Sequence, residues 1–196
     1  MTAARTHSVA LAGVTGHVVV VDTEVTDGPA GMTFTGLPDT ALREARDRIR
    51  AAIVNSGERW PQRRITATLS PASLPKHGSR SDLAIAAGVL AAAGAVPQQA
   101  TAEVVFLAEL GLDGRLRPVR GVLPAVAEAA TAGFGTVIVA PGNAAEAALM
   151  PGITIVQAAT LTQVVEWLRA GGPAGGPGPD DLHPGSPPSP RPAGSA

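Results

Sequence analysis

The run Pro75-Lys76-His77-Gly78-Ser79-Arg80-Ser81-Asp82 gathers a lysine, a histidine, two serines and an aspartate into one short polar segment. A serine nucleophile needs a base within hydrogen-bonding reach, and Lys76 or His77 can supply one if desolvation removes its proton. The same residues suit a plainer task, since serines ahead of a helix cap its free N–H groups. Composition does not establish a catalytic geometry here, and capping is the commoner use of such serines.

Phosphate and metal chemistry find less support. The sequence contains no Gly-x4-Gly-Lys-Ser/Thr run, so it has no Walker A loop. The piece Asp27-Gly28-Pro29-Ala30-Gly31 lacks the lysine that reaches terminal phosphates and reads as a turn. His7, His17, His77 and His183 are scattered, and no pair has the spacing that places two imidazoles on one helix face. With no cysteine there is neither a disulfide framework nor a thiolate site. No metal or cofactor is expected in the chain itself.

Binding is the remaining chemistry. The whole chain carries a formal charge of -1, yet nine basic residues fall between Arg43 and Arg80 against three acidic ones, Glu44, Asp47 and Glu58. Such an excess attracts phosphate if the side chains share a face; otherwise it is a solvated helix face with local pairs such as Arg43 with Asp47. Arg63 and Arg64 open a strand, Lys76 and Arg80 sit in the loop after it, and Arg115, Arg117 and Arg120 follow in a hairpin. These seven converge if their segments are neighbours. Three Phe, two Trp and no Tyr leave little for base stacking, so a DNA contact would be electrostatic, salt-sensitive and indifferent to sequence. Bidentate pairing with carboxylates of another domain or subunit is the competing use.

The elements that must position these residues follow from periodicity. Thr6 to Ala12 and His17 to Val25 read as strands around a turn at Val14-Thr15-Gly16, and Gly31 to Thr35 as a third. After Gly36-Leu37-Pro38, Asp39 or Thr40 can cap a helix with Leu42, Ala45, Ile49, Ala52 and Ile53 on one side, stopped by Asn55-Ser56-Gly57. Arg63 to Ser70 alternates as a half-buried strand, and Asp82 to Ala93 is a helix of small residues suited to close packing. Glu103 to Leu112 and Arg115 to Val119 flank Asp113-Gly114 as a hairpin. A helix from Gly121 to Gly133 tolerates Pro124 in its first turn. A strand from Thr136 to Ala140, a short helix capped by Asn143 and ending at Met150, a strand from Ile153 to Val156 and a helix from Thr160 or Thr162 to Ala170 complete the pass. The expected class is α+β, a mixed sheet covered by helices.

One folded domain, residues 1–170, is expected. Residues 171–196 are Gly, Pro, Ser and charge with Leu182 as their one large apolar residue, which reads as a disordered linker or tail. No signal peptide and no apolar run long enough to span a membrane is evident, so a cytoplasmic location is expected and no membrane partner.

Three stretches carry a family resemblance: FTGLPDTALREARDRIRAAIVNSG, PQRRITATLSPASLPKHGSRSDL and FLAELGLDGRLRPVRGVLPAV. From about Arg5 to Arg169 the chain resembles the N-terminal domain of ComM/YifB-type magnesium-chelatase-like AAA+ proteins. The resemblance implies a fold like the proteolytic domain of Lon and domain 2 of ribosomal protein S5. Lon-type peptidases place a nucleophilic Ser after Pro-Lys-Asp-Gly-Pro and a catalytic Lys in Gly-Gly-Leu-Lys. The matching pieces here are PKHGSR and RGVL, which put Arg80 and Leu123 at the two dyad positions, and a leucine cannot deprotonate anything. Two departures touch the loop, where the family more often has an acidic residue at His77 and a bulky apolar one at Ser81. By resemblance the chain is a noncatalytic front domain serving DNA binding or hexamer organisation in branch migration during natural transformation. Its partners would be an AAA+ module, which supplies ATP and magnesium, and homo-oligomer subunits, with DNA as a candidate. A cryptic Ser-dependent peptidase, using Ser79 or Ser81, and a stand-alone interaction domain are the alternatives.

Overall fold

A computed structural model of the chain describes residues 2–35, 39–74 and 79–175, with side chains described for all of these except 39–42. Its first three strands are β1 (Thr2–Ala12), β2 (Thr15–Thr26) and β3 (Gly31–Thr35). The helix α1 (Asp39–Asn55) then crosses to β4 (Arg64–Ser70), which lies parallel to β3. Next come α2 (Asp82–Ala92), α3 (Gln98–Ala102), β5 (Val104–Leu107) and a short ribbon of β6 (Glu109–Leu110) and β7 (Leu116–Arg117). The chain continues through α4 (Val122–Thr131), β8 (Thr136–Val139), α5 (Pro141–Ala147), β9 (Thr154–Gln157) and α6 (Leu161–Arg169). Seven strands form one mixed sheet in the order β3-β4-β2-β1-β5-β8-β9, and the expected α+β class is the observed one.

Alternation sorts the side chains onto its two faces. Val104 and Phe106 of β5, with Ile138 of β8, join the larger core under α1, α2 and α6. Their neighbours Val105, Leu107, Val137 and Val139 join a second core with Val122, Val126 and Ala129 of α4. These central parallel strands are apolar on both sides because helices cover both sides. Strands β2 and β4 instead alternate buried and partly exposed residues, as a sheet with one wet face does.

The small residues of α2 let its axis approach the sheet. A Cβ on Gly88 would lie 2.6 Å from Thr23 Oγ1 and 3.3 Å from Thr6 Oγ1, both buried. Thr6 Oγ1 in turn donates to the Ala84 carbonyl at 2.7 Å. Gly88 therefore trades helix propensity for contact.

Several sequence expectations are corrected. The first turn is Gly13-Val14, not Val14-Thr15-Gly16, because Ala12 pairs with Thr15 and Gly13 takes the positive φ (63°) that a two-residue hairpin needs at its first position. The long hairpin from Glu103 to Val119 is split: β5 joins the main sheet between β1 and β8, and only β6 and β7 pair as a ribbon. Burying β5 on both faces outweighs extending the ribbon. Asp113-Gly114 does make the ribbon's turn, with Gly114 at φ 80°. The helix expected to start at Asn143 starts at Pro141, and α3 was not anticipated. Asp47 pairs with Arg46, at 3.5 Å, where Arg43 was expected. Gly172–Ala174, the first residues of the expected linker, form a 3-10 turn against α3. The loop residues Lys76 and His77, the Gly36-Leu37-Pro38 punctuation and the tail from 176 lie outside the described residues.

Candidate functional site

Parallel strands point their carboxyl ends the same way, and loops at that end of an open sheet are where such folds build sites. Here β5 leads into β6, and the first turn of α2 docks on that connection through Leu83 N donating to the Ala108 carbonyl at 3.3 Å. Asp82 is thereby carried into the interior at the start of α2.

Its carboxylate is met by Arg48 from the middle of α1, with Nε to Oδ2 at 2.9 Å and Nη2 to Oδ1 at 3.2 Å. The Leu110 N–H of β6 donates to Oδ2 at 3.4 Å. Beside it, Ser79 Oγ donates to Glu109 Oε2. Burial pushes the Asp82 carboxyl up to about 6; Arg48 and the Leu110 N–H oppose the rise, and the charge of Glu109 adds to it. The bond to Asp82 raises Arg48 above its ordinary value.

Arg80 lies next to this cluster and reaches across to the α4 entry, where its Nη2 donates to the Arg120 carbonyl at 2.6 Å. Its Nη1 is buried with no hydrogen-bond partner among the described residues, and burial lowers the guanidinium's pKa. Leu123 follows Arg120 in the first turn of α4, so Arg80 and Leu123, the positions that the Lon resemblance implies for a dyad, lie on neighbouring segments. At those positions stand a guanidinium and an aliphatic side chain. Ser79, the serine beside them, faces a carboxylate.

Two local devices hold the Arg120 segment in place. Gly121 adopts φ 67°, and a Cβ there would come within 2.6 Å of Leu11 Cδ1. Asn143, buried inside α5, accepts from Val119 N at 2.8 Å and donates to Val119 O at 2.9 Å. The asparagine expected as a cap is a clamp instead, since α5 already has its start at Pro141 and the Val119 peptide has no ladder partner.

The seven basic residues singled out from sequence divide. Arg80, Arg117 and Arg120 lie on segments at the carboxyl ends of the strands: Arg80 reaches the Arg120 carbonyl, and Arg117 pairs in register with Glu109 on the ribbon, its guanidinium beside Gly111. Arg115 lies farther along the ribbon, 3.5 Å from Asp113. Arg63 and Arg64 stand at the other end of β4, about 20 Å away for seven strand residues, and Arg63 is held by Asp27 at 2.6 Å. Lys76 is outside the described residues. Of the four histidines, His7 sits on β1 against Phe134, ring centroids 4.8 Å apart, with its pKa lowered by burial, while His17 on the adjoining β2 pairs in register with Ala10. Sequence reasoning missed Arg48 and Glu109. The signal for Arg48 was available: it falls three residues after Ala45 and four before Ala52, on the buried side of α1.

A family model described as subunit ChlI of magnesium chelatase matches residues 21–143. An uncharacterized protein of Mycobacterium tuberculosis is 47% identical over 169 residues, covering 86% of this chain and 34% of its own length. The competence protein ComM of Haemophilus influenzae is 40% identical over 169 residues, covering 86% and 33%. YifB of Escherichia coli is 39% identical over 163 residues, covering 83% and 32%. The chain spans about a third of the length of the curated relatives it matches.

Proposed function

Because the chain belongs to the magnesium-chelatase ChlI family, with ComM and YifB among its relatives, we propose that it is a noncatalytic domain that engages DNA phosphates on behalf of an ATP-driven AAA+ module. The observation that carries this reading is Arg80. At the position that the Lon resemblance implies for a nucleophile, a guanidinium bridges to the carbonyl of the exposed Arg120, with the exposed Arg117 on the adjoining ribbon. A guanidinium cannot attack a carbonyl, but it recognises phosphate oxygens well.

In this reading ATP and magnesium belong to the AAA+ module, the domain works in a homo-oligomer, and its place is the cytoplasm. Among the described residues no helix is long and apolar enough to cross a membrane. The test is binding of the 196-residue chain to forked and single-stranded DNA across a salt series. Each phosphate neutralised on a single strand contributes about -0.7 to the log-log salt slope. Three arginines therefore predict a slope near -2, and Arg117→Ala or Arg120→Ala should each flatten it by roughly one unit or less. Absence of binding at low salt would move the assignment to subunit contact. Fluorophosphonate labelling that disappears in Ser79→Ala would instead establish a serine-dependent peptidase.

A further inference from the structure

We propose that the Arg48–Asp82 pair is a proton-linked part of this polyanion-binding face: phosphate arriving among Arg80, Arg117 and Arg120 draws Arg48 away from Asp82, and Asp82 takes up a proton from solvent as the pair opens. The inference rests on the DNA reading above and adds its regulation.

The geometry supplies a charge in reserve. Asp82 is a buried carboxylate whose charge is offset by Arg48, and Arg48 sits between Asp82 at 2.9 Å and the exposed Glu44 at 3.9 Å. Seen from Asp82, the charged groups are Arg48 and Glu44 on α1, Glu109 on β6 and Arg80 on its own loop, with Arg117 of β7 the register partner of Glu109. The ribbon contributes the Leu110 N–H and the loop contributes Ser79, which is committed to Glu109. Lys76 and His77 precede this loop, outside the described residues. Ionised Asp82 cancels Arg48; protonated Asp82 leaves it as one more positive charge for a polyanion. A buried carboxyl pressed by Glu109 and raised to about 6 is poised for that exchange close to neutral pH.

Proton uptake and anion binding then assist each other by the same factor. With fluorescein-labelled oligothymidylate as the probe and the full chain as the protein, affinity should rise about fivefold between roughly pH 8 and pH 5. The readout is the difference from Asp82→Asn, so that every other proton-linked group cancels. That variant should bind at neutral pH as tightly as the acidified wild type and lose the fivefold component. In the wild type, the carboxyl carbon signal of Asp82 gives a second readout that needs no variant: its midpoint should move upward when oligothymidylate is added. An unchanged pH response in Asp82→Asn, or an Asp82 midpoint indifferent to DNA, overturns the linkage while leaving the DNA reading intact. No binding at any pH overturns the DNA reading and the linkage with it.

Discussion

Arg5 and Asp22 face each other across β1 and β2 at 2.7 Å, their side chains 62% and 41% exposed; Arg48 and Asp82 meet at 2.9 Å with 24% and 2% exposed. The atoms, the chemistry and nearly the distance are the same. What differs is water. The strand pair keeps most of its hydration, so its Coulomb attraction is screened and adds little. The helix pair has surrendered the hydration of one carboxylate, and Arg48 does not fully restore it, because the Asp82 pKa stands above its ordinary value despite the guanidinium. Distance alone thus says almost nothing about which pair matters.

The largest way to break the comparison is Arg48→Ala, which leaves Asp82 buried without its counter-charge. At neutral pH we expect a loss of about 3 kcal/mol in denaturant unfolding, at the lower end for a buried pair because Arg48 is itself partly solvated. The loss should shrink in acid, where Asp82 is neutral.

Asp82→Asn tests the same point through pH. The folded-state pKa lies above the unfolded value of 3.8, so the folded state holds the extra proton between the two. This group's contribution to stability is therefore greatest in acid, falls as pH rises from about 4 through about 6, and is level above that. Relative to the asparagine variant the fall should be on the order of 3 kcal/mol. A wild-type difference that rises with pH over that window would refute the assignment.

An uncharged yardstick sharpens the contrast. Gly88→Ala adds a methyl against Thr23 where α2 meets the sheet, and should cost about 1–2 kcal/mol with no dependence on pH. Smallest of all, Arg5→Ala should leave the melting midpoint where it is, since both partners are well hydrated; a clear shift would mean that the strand pair carries a packing role.

Much of this molecule was legible in advance where a single period settles the matter. The alternation of Ile65, Ala67 and Leu69 placed β4, and the β-branched run from Val18 to Val21 placed β2. The Asp82-to-Ala93 helix was read within a residue. Failures came where neighbours decide. Val104–Leu107 reads as part of a hairpin because a buried parallel strand and a ribbon strand look alike in sequence. Asn143 was taken as a cap because its partner, Val119, lies 24 residues earlier. Whether the seven basic residues converge depends on which segments are neighbours, and β4 puts Arg64, with Arg63 just before it, at the end of the sheet away from Arg80.

The sequence by itself determined the α+β class, the main periodic elements and the family, since each of these resides in residue type and local spacing. The tertiary structure alone decided which arginine is inward, which carboxylate is desolvated and which basic residues share a face. Electrostatic consequence depends on burial and on partners brought from distant segments, and Asp82 acquires its character only when α1, α2 and β6 close around it.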